Sequence, residues 1–204
     1  MGSDAVNSAA APEVASSLRL PAMLRGQRVT LRRWTPDDEA TLGRIVAESL
    51  DHLRPWMPWA RFEPLTPGAR RVLMEGWERE WYAGGDVTFA VIADSEVVGS
   101  SGLHRRLGPD ALEIGYWVHV DFIRRGYATE LARMLTDAAF SVDGIERVEI
   151  HHNAANTRSA AVPRRLGYTL MCEVATDPKA PAEVDRECEW RVTKQQWAEL
   201  RHIA

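Results

Sequence analysis

The residues with the most chemistry lie in one stretch, Val118-His119-Val120-Asp121-Phe122-Ile123-Arg124-Arg125-Gly126-Tyr127-Ala128-Thr129-Glu130-Leu131. An apolar run, Ile114 to Val118, enters it. Ala128, Leu131, Ala132, Leu135, Ala138 and Ala139 leave it at helical spacing. A strand, a basic turn and a helix start make a cradle for phosphate. The first N–H groups of a helix have no partner within it, and the helix dipole favours an anion there. Gly126, without a side chain, lets the backbone approach closely. An ordinary strand–helix connection with a solvated arginine pair could be built from the same residues, so the rest of the chain has to decide. A second polar group, Asn156-Thr157-Arg158-Ser159, follows one strand later and runs on to Arg164-Arg165-Leu166-Gly167-Tyr168. Glu113 lies just before the apolar run; apolar neighbours would raise its pKa and suit it to general-base work. His119, just after the run, titrates near neutrality and is the second candidate base.

Alternating and helical periods supply the elements that must position these groups. Gln27 to Trp34 alternates as a half-buried strand and is read as the first. Thr35-Pro36-Asp37-Asp38 starts a helix whose apolar stripe is Leu42, Ile45, Val46 and Leu50. Two prolines then break the chain at His52-Leu53-Arg54-Pro55-Trp56-Met57-Pro58-Trp59. Its tryptophans could pin a loop to the core or wall an acceptor groove. A helix over Pro67 to Tyr82 precedes two strands, Val87 to Ile92 and Val97 to Leu103, which a hairpin turn joins. The strand Ala111 to Val120 puts Leu112, Ile114, Tyr116 and Val118 on one face, and Glu113, Gly115, Trp117 and His119 on the other. After a helix that ends near Ser141, a fifth strand over Arg147 to His151 should lie parallel to it, through a right-handed crossover. A short helix capped by Asn156 and closed by Gly167, two strands (Tyr168 to Val174 and Val184 to Val192) and a last helix from Lys194 to Arg201 complete the order.

With 204 residues, 45% of them hydrophobic, the chain has room for one full core. We read a tail over residues 1–20 with little to bury, then one domain over 21–204. The net charge of −4 gives no general affinity for nucleic acid. The two cysteines, Cys172 and Cys188, could sit on neighbouring strands, and they read as reduced. No run approaches the ~20 apolar residues of a membrane span. No histidine or cysteine spacing suggests a metal site. The start of the chain lacks the pattern of a secretion signal, so a cytoplasmic protein is expected.

The turn around Arg124-Arg125-Gly126-Tyr127-Ala128 resembles the acyl-CoA pyrophosphate loop of the GNAT superfamily of N-acetyltransferases, with Ile123 standing where glutamine or arginine is usual. Asn156-x-x-Ser159 ahead of Leu166-Gly167-Tyr168 resembles the second motif of that superfamily. Gly126-Tyr127-Ala128-Thr129-Glu130 and the segment Leu53 to Trp59 resemble the RimJ/RimL branch, the protein N-terminal acetyltransferases named for ribosomal proteins. The resemblance covers about residues 26 to 200. It implies a mixed α/β (α+β) fold with a mostly antiparallel seven-stranded sheet, flanked by helices and splayed between its fourth and fifth strands. It implies acetyl-CoA as donor and no metal. The acceptor would be a protein N-terminus or a small amine, neither nucleic acid nor membrane would be a partner, and the protein would be a monomer or homodimer. For binding acetyl-CoA it implies Val118, Val120, Arg124, Arg125, Gly126, Tyr127, Ala128, Thr129, Asn156 and Arg165. It places Trp56, Trp59, Trp117 and His119 at the acceptor and Glu113 as general base; Ser159, whose hydroxyl lies in the second motif near the expected sulfur, is the preferred proton donor to the leaving thiolate, which could also leave unassisted. The tyrosine many members use for that last step would fall at Pro163, so it is missing here. A dinucleotide-binding protein would need a glycine two residues before Gly126, and there is none. A CoA-binding module without catalysis is the remaining alternative.

Overall fold

The computed structural model describes residues 17–203. Eight strands form one sheet in the order β1-β2-β3-β4-β5-β6-β8-β7. They are β1 (Met23–Arg25), β2 (Thr30–Arg33), β3 (Val87–Ala93), β4 (Glu96–His104), β5 (Ala111–Val118), β6 (Arg147–Asn153), β7 (Thr169–Ala175) and β8 (Arg186–Thr193). The helices are α1 (Glu39–Leu53), α2 (Pro67–Ala83), α3 (Tyr127–Phe140), α4 (Thr157–Leu166) and α5 (Lys194–Ile203). Every strand pairing is antiparallel except β5 with β6. Among the described residues, no helix is long and apolar enough to cross a membrane.

The alternation of β3 shows how the layers divide. Val87, Phe89 and Val91 enter the larger core together with Leu131, Ala132, Leu135, Ala138 and Ala139 of α3. Ala90 and Ile92 pack from the other face into a smaller core with Trp34, Leu42, Ile45 and Val46, the last three on α1, and Met74 of α2. The helical period read for α3 therefore marks its buried face, where alanines let the helix settle close on the sheet.

Two expectations are corrected. The sheet has eight strands rather than seven, because Met23–Arg25 forms a hairpin with β2, closed by a 2.9 Å bond from the Gly26 N–H to the Val29 carbonyl. Three residues are too few to show an alternation. The tail also ends earlier than residue 20: Leu18 and Leu20 are buried in the larger core, and the Leu18 N–H donates to the Gly84 carbonyl at 3.0 Å. The rest of that tail lies outside the described residues. Cys172 and Cys188 do fall on the neighbouring strands β7 and β8 and are both free, the first exposed and the second buried.

The feature that shapes the site is where β5 and β6 part. They pair at only three positions, Ala111 with Arg147, Leu112 with Val148 and Glu113 with Glu149. Beyond these, β5 continues to Val118 on β4 alone, and β6 continues to Asn153 on β8 alone. The sheet is therefore split from this point to the ends of both strands.

The segment between α1 and α2 is fixed by a buried ion pair. Arg70 of α2 donates two bonds to Glu63, at 2.6 and 3.2 Å, and both side chains are 5% exposed. Glu63 also accepts from the Leu65 N–H at 2.8 Å. Removing one partner leaves a buried charge without compensation. Glu63→Gln should therefore lower stability by about 3–5 kcal/mol, and adding Arg70→Met should recover part of the loss. Urea unfolding of the single and double variants measures both; equal stability of Glu63→Gln and the native chain would refute the role of the pair.

Candidate active site

The turn between β5 and α3 is built to present backbone N–H groups. The His119 N–H donates back to the Val98 carbonyl on β4 at 2.8 Å. Successive N–H groups alternate sides along a strand, so that of Val118 is directed at the split. After a short 3-10 turn over Val120–Phe122, Arg124 and Gly126 both take left-handed conformations, at φ +61° and +82°. Glycine adopts that conformation without steric cost; arginine does not, so the surroundings must hold Arg124 there. A β-carbon at residue 126 would also lie 3.0 Å from the Arg28 guanidinium. Tyr127 then opens α3, and no side chain caps it. The first N–H to turn back into the helix is that of Glu130, which donates to the Gly126 carbonyl at 3.1 Å. The N–H groups before it are left for a ligand.

A buried carboxylate braces this turn. Glu130 accepts from the Arg28 and Val29 N–H groups at 2.8 and 3.3 Å and from the Arg28 guanidinium at 2.8 Å. Arg28 also donates to the Arg125 carbonyl at 2.9 Å. Burial alone would raise the pKa of Glu130. The hydrogen bonds from Arg28, Val29 and Gln27 outweigh it and hold the carboxyl below the usual glutamate range.

The split and the turn together form a cleft of about 1270 Å³. Val118, Arg124, Arg125, Gly126, Tyr127, Ala128 and Thr129 line it on the β5–α3 side, and Asn156, Ser159 and Arg165 line it from α4. Among the described residues, seven arginines contribute to its walls (28, 124, 125, 133, 158, 165 and 201), against one carboxylate, Glu130. Asn156 caps α4, its side chain accepting from the Ser159 N–H at 3.1 Å. The hydroxyls of Ser159 and Tyr116 lie 3.2 Å apart, bridging α4 and β5 across the cleft. Burial pushes the Tyr116 phenol up to about 12, against the opposing effect of the Ser159 bond, so it stays protonated and can act only as a donor or neutral partner.

Not every residue singled out in the sequence lies in these walls. Trp56 and Trp117 do, and Trp59 stands behind Trp117 with ring centroids 6.2 Å apart. Glu113 does not. It occupies the last paired position of β5, and its carboxylate accepts from Arg106 at 3.4 Å in a largely buried charged cluster with His151 and Glu149. The apolar surroundings expected for a base of raised pKa are absent there. His119 is also outside the walls. It is buried, its Nε2 lies 3.0 Å from Glu48 and its Nδ1 accepts from the Asp121 N–H, so both ring nitrogens are occupied. Val120 likewise lies outside; its N–H is taken by the Ser49 hydroxyl at 3.2 Å. Conversely, Arg28, His52, Tyr116, Arg133, Arg158 and Arg201 line the cleft and were not singled out. Only Tyr116 had a signal, sharing a strand face with Val118.

The depressed pKa of Glu130 sets the pH range of its contribution. Stability from a carboxyl whose folded pKa is lowered is complete above the unfolded value, about 4.3, and is lost as pH falls through the folded value. Glu130→Gln should therefore melt below the native chain at pH 6 to 8, with the gap narrowing as the pH drops under about 4. Thermal melts across that range test this, and a gap independent of pH would contradict it.

Residues 28–169 match the acetyltransferase (GNAT) domain family. Among curated proteins, "Putative ribosomal N-acetyltransferase YdaF" of Bacillus subtilis (strain 168) is 26% identical over 144 residues, covering 70% of this chain and 78% of its own. Among solved structures, Mycobacterium smegmatis RimJ in complex with CoA-disulfide is 25% identical with a TM-score of 0.70, covering 91% of this chain and 89% of that one. The microcin C7 self-immunity acetyltransferase MccE, solved with acetyl-CoA and AMP, is 17% identical with a TM-score of 0.77, covering 87% and 98%. At that identity it speaks for the fold alone. A family match over most of the chain, the split sheet and the uncapped helix above it agree: the chain belongs to the GNAT acetyltransferases and is an acyl-CoA-dependent N-acetyltransferase.

Proposed function

We propose that this enzyme acetylates the free α-amine of a protein N-terminus, with acetyl-CoA as donor. One observation carries the choice of amine. Among the described residues the cleft has a single carboxylate in its walls, and Arg28 with two backbone N–H groups occupies it. The walls thus offer no free anion to bind an ammonium group. The acceptor must reach the cleft with an appreciable neutral fraction. At pH 7.4 about a quarter of α-amines are neutral, given a pKa of 7.7–8.0, but only about a thousandth of lysine side chains. The curated relative YdaF, named as a putative ribosomal N-acetyltransferase, supports the same class of acceptor.

The residues divide the work as follows. The N–H groups at the start of α3, together with Arg124 and Arg125, receive the diphosphate. The unpaired edge of β5 pairs with the amides of the pantetheine arm, as a neighbouring strand would. The Val118 N–H is the donor to the developing oxyanion, since the next two N–H groups are already engaged. Trp56 and Trp117 border the acceptor. Ser159, held against Tyr116, protonates the departing sulfur in place of the tyrosine that Pro163 displaces. Holding amine and thioester together supplies much of the acceleration without a covalent enzyme intermediate.

Release of free thiol from acetyl-CoA, with peptides of varied first residue and a panel of small amines as acceptors, tests the reading. Turnover on peptides is expected; turnover on small amines alone would refute it. Ser159→Ala should lower kcat by roughly 10²-fold while peptides still bind. Gly126→Glu puts a side chain and a negative charge into the cradle and should weaken CoA at least ~10-fold by calorimetry; unchanged affinity would remove the cradle.

A further inference from the structure

We propose that His52, in the last turn of α1, is the general base that takes the proton from the attacking amine. His52 lines the same cleft as Trp56, Met57, Tyr116, Trp117 and Val118, and it feels the charges of Arg158 on α4 and of His119, the residue after Val118, which sets it toward the end where the acceptor meets the thioester on the reading above. It is half-buried, and no hydrogen bond or ion pair among the described residues claims it. The other ionisable groups of the walls are unsuited to the task. Glu130 is saturated by its partners, the arginines stay charged, and the Tyr116 phenol stays protonated. Tyr127 is a buried phenol at the cradle. Glu113 and His119 stand outside the walls.

The surroundings of His52 keep it neutral. Burial comes first, then the positive charge of Arg158 facing it from α4, then His119 beyond β5; together they lower its pKa from the ordinary value. His119 is itself bonded to Glu48, one turn earlier on α1. Asp51 and Arg54, its charged neighbours on either side along the chain, are exposed. A neutral imidazole at working pH can accept a proton; a charged one cannot.

The step balances as follows. The amine lone pair forms the C–N bond as the carbonyl π pair moves onto the oxygen, giving an oxyanion at the Val118 N–H, and the nitrogen becomes cationic and strongly acidic. Its proton passes to the free nitrogen of His52. The oxyanion then re-forms the carbonyl as the C–S bond breaks, the bonding pair leaves with the sulfur, and the sulfur takes a proton from Ser159, which recovers one from water. His52 returns its proton to water. The net change is one proton moved from nitrogen to sulfur.

The test is kcat against pH with both substrates saturating, on the full chain, with the acetyl acceptor that turns over best. In the native enzyme kcat should fall on the acid side as His52 charges. His52→Gln and His52→Asn should lower kcat by roughly 10²-fold and remove that limb, while calorimetric affinity for CoA stays as in the native enzyme. Imidazole added to His52→Ala should restore part of the rate. Arg158→Gln keeps the base but removes a facing positive charge, so the acid limb should move to higher pH. Native kcat with the limb intact in His52→Gln would overturn the proposal, as would an unmoved limb in Arg158→Gln. Loss of the limb in Glu113→Gln instead would place the base outside the cleft walls. If Gly126→Glu also left CoA affinity untouched, the reading of the cleft would fail together with the base.

Discussion

The site depends on the parting of β5 and β6 after three paired positions. A sheet that opens leaves N–H and C=O groups without partners along both facing edges, and such groups are costly unless water or a ligand satisfies them. Each strand tolerates this because its other edge is held, β5 by β4 up to Val118 and β6 by β8 up to Asn153. The opening is thus a stable absence in a well-held sheet. On the proposed reading, a donor with amide groups in an extended arm would fill it as a strand would. The turn at the end of β5 then meets the N-terminus of α3 just where a phosphate needs it, α4 closes the far side, and the end of α1 faces the gap.

Charge in this molecule is local. The chain as a whole carries −4, yet the cleft gathers seven arginines around one carboxylate that is itself occupied. The same arrangement that favours a polyanionic donor disfavours an ammonium acceptor. On the proposed reading, one electrostatic choice bears on both substrates: it would draw in the nucleotide and select an amine that is already neutral. Glu130 is compatible with this field because its bonds to Arg28 and the adjacent N–H groups fasten the turn to the approach of β2.

Periodic elements were legible in the sequence. Residues 67–82 read as a helix and fold as Pro67–Ala83, and the caps of α4 at Asn156 and Gly167 stand where the sequence placed them. The loop glycine was legible too, since a left-handed turn before a helix calls for one. The depth of the split was not. It depends on which residue of β5 last meets β6, a relation between segments far apart in sequence that no local pattern encodes. Glu113 fell on the paired side of that boundary, so a carboxylate read as cleft-facing ended beside Arg106. His52 was hidden for the converse reason. It looks like a helix-end residue before two prolines, and only the packed fold turns that end of α1 toward Arg158 of α4. Three-residue β1 carried too little alternation to be seen.

The most direct measurement is amide hydrogen exchange over Ile114 to Glu130, with and without CoA. If the split and the uncapped turn receive the donor, exchange at Tyr116, Val118 and Tyr127 to Thr129 slows strongly on binding, while the β3–β4 hairpin is unaffected. Binding of CoA with no added protection in that stretch would contradict the account, because the donor would then be held somewhere other than the opening between β5 and β6.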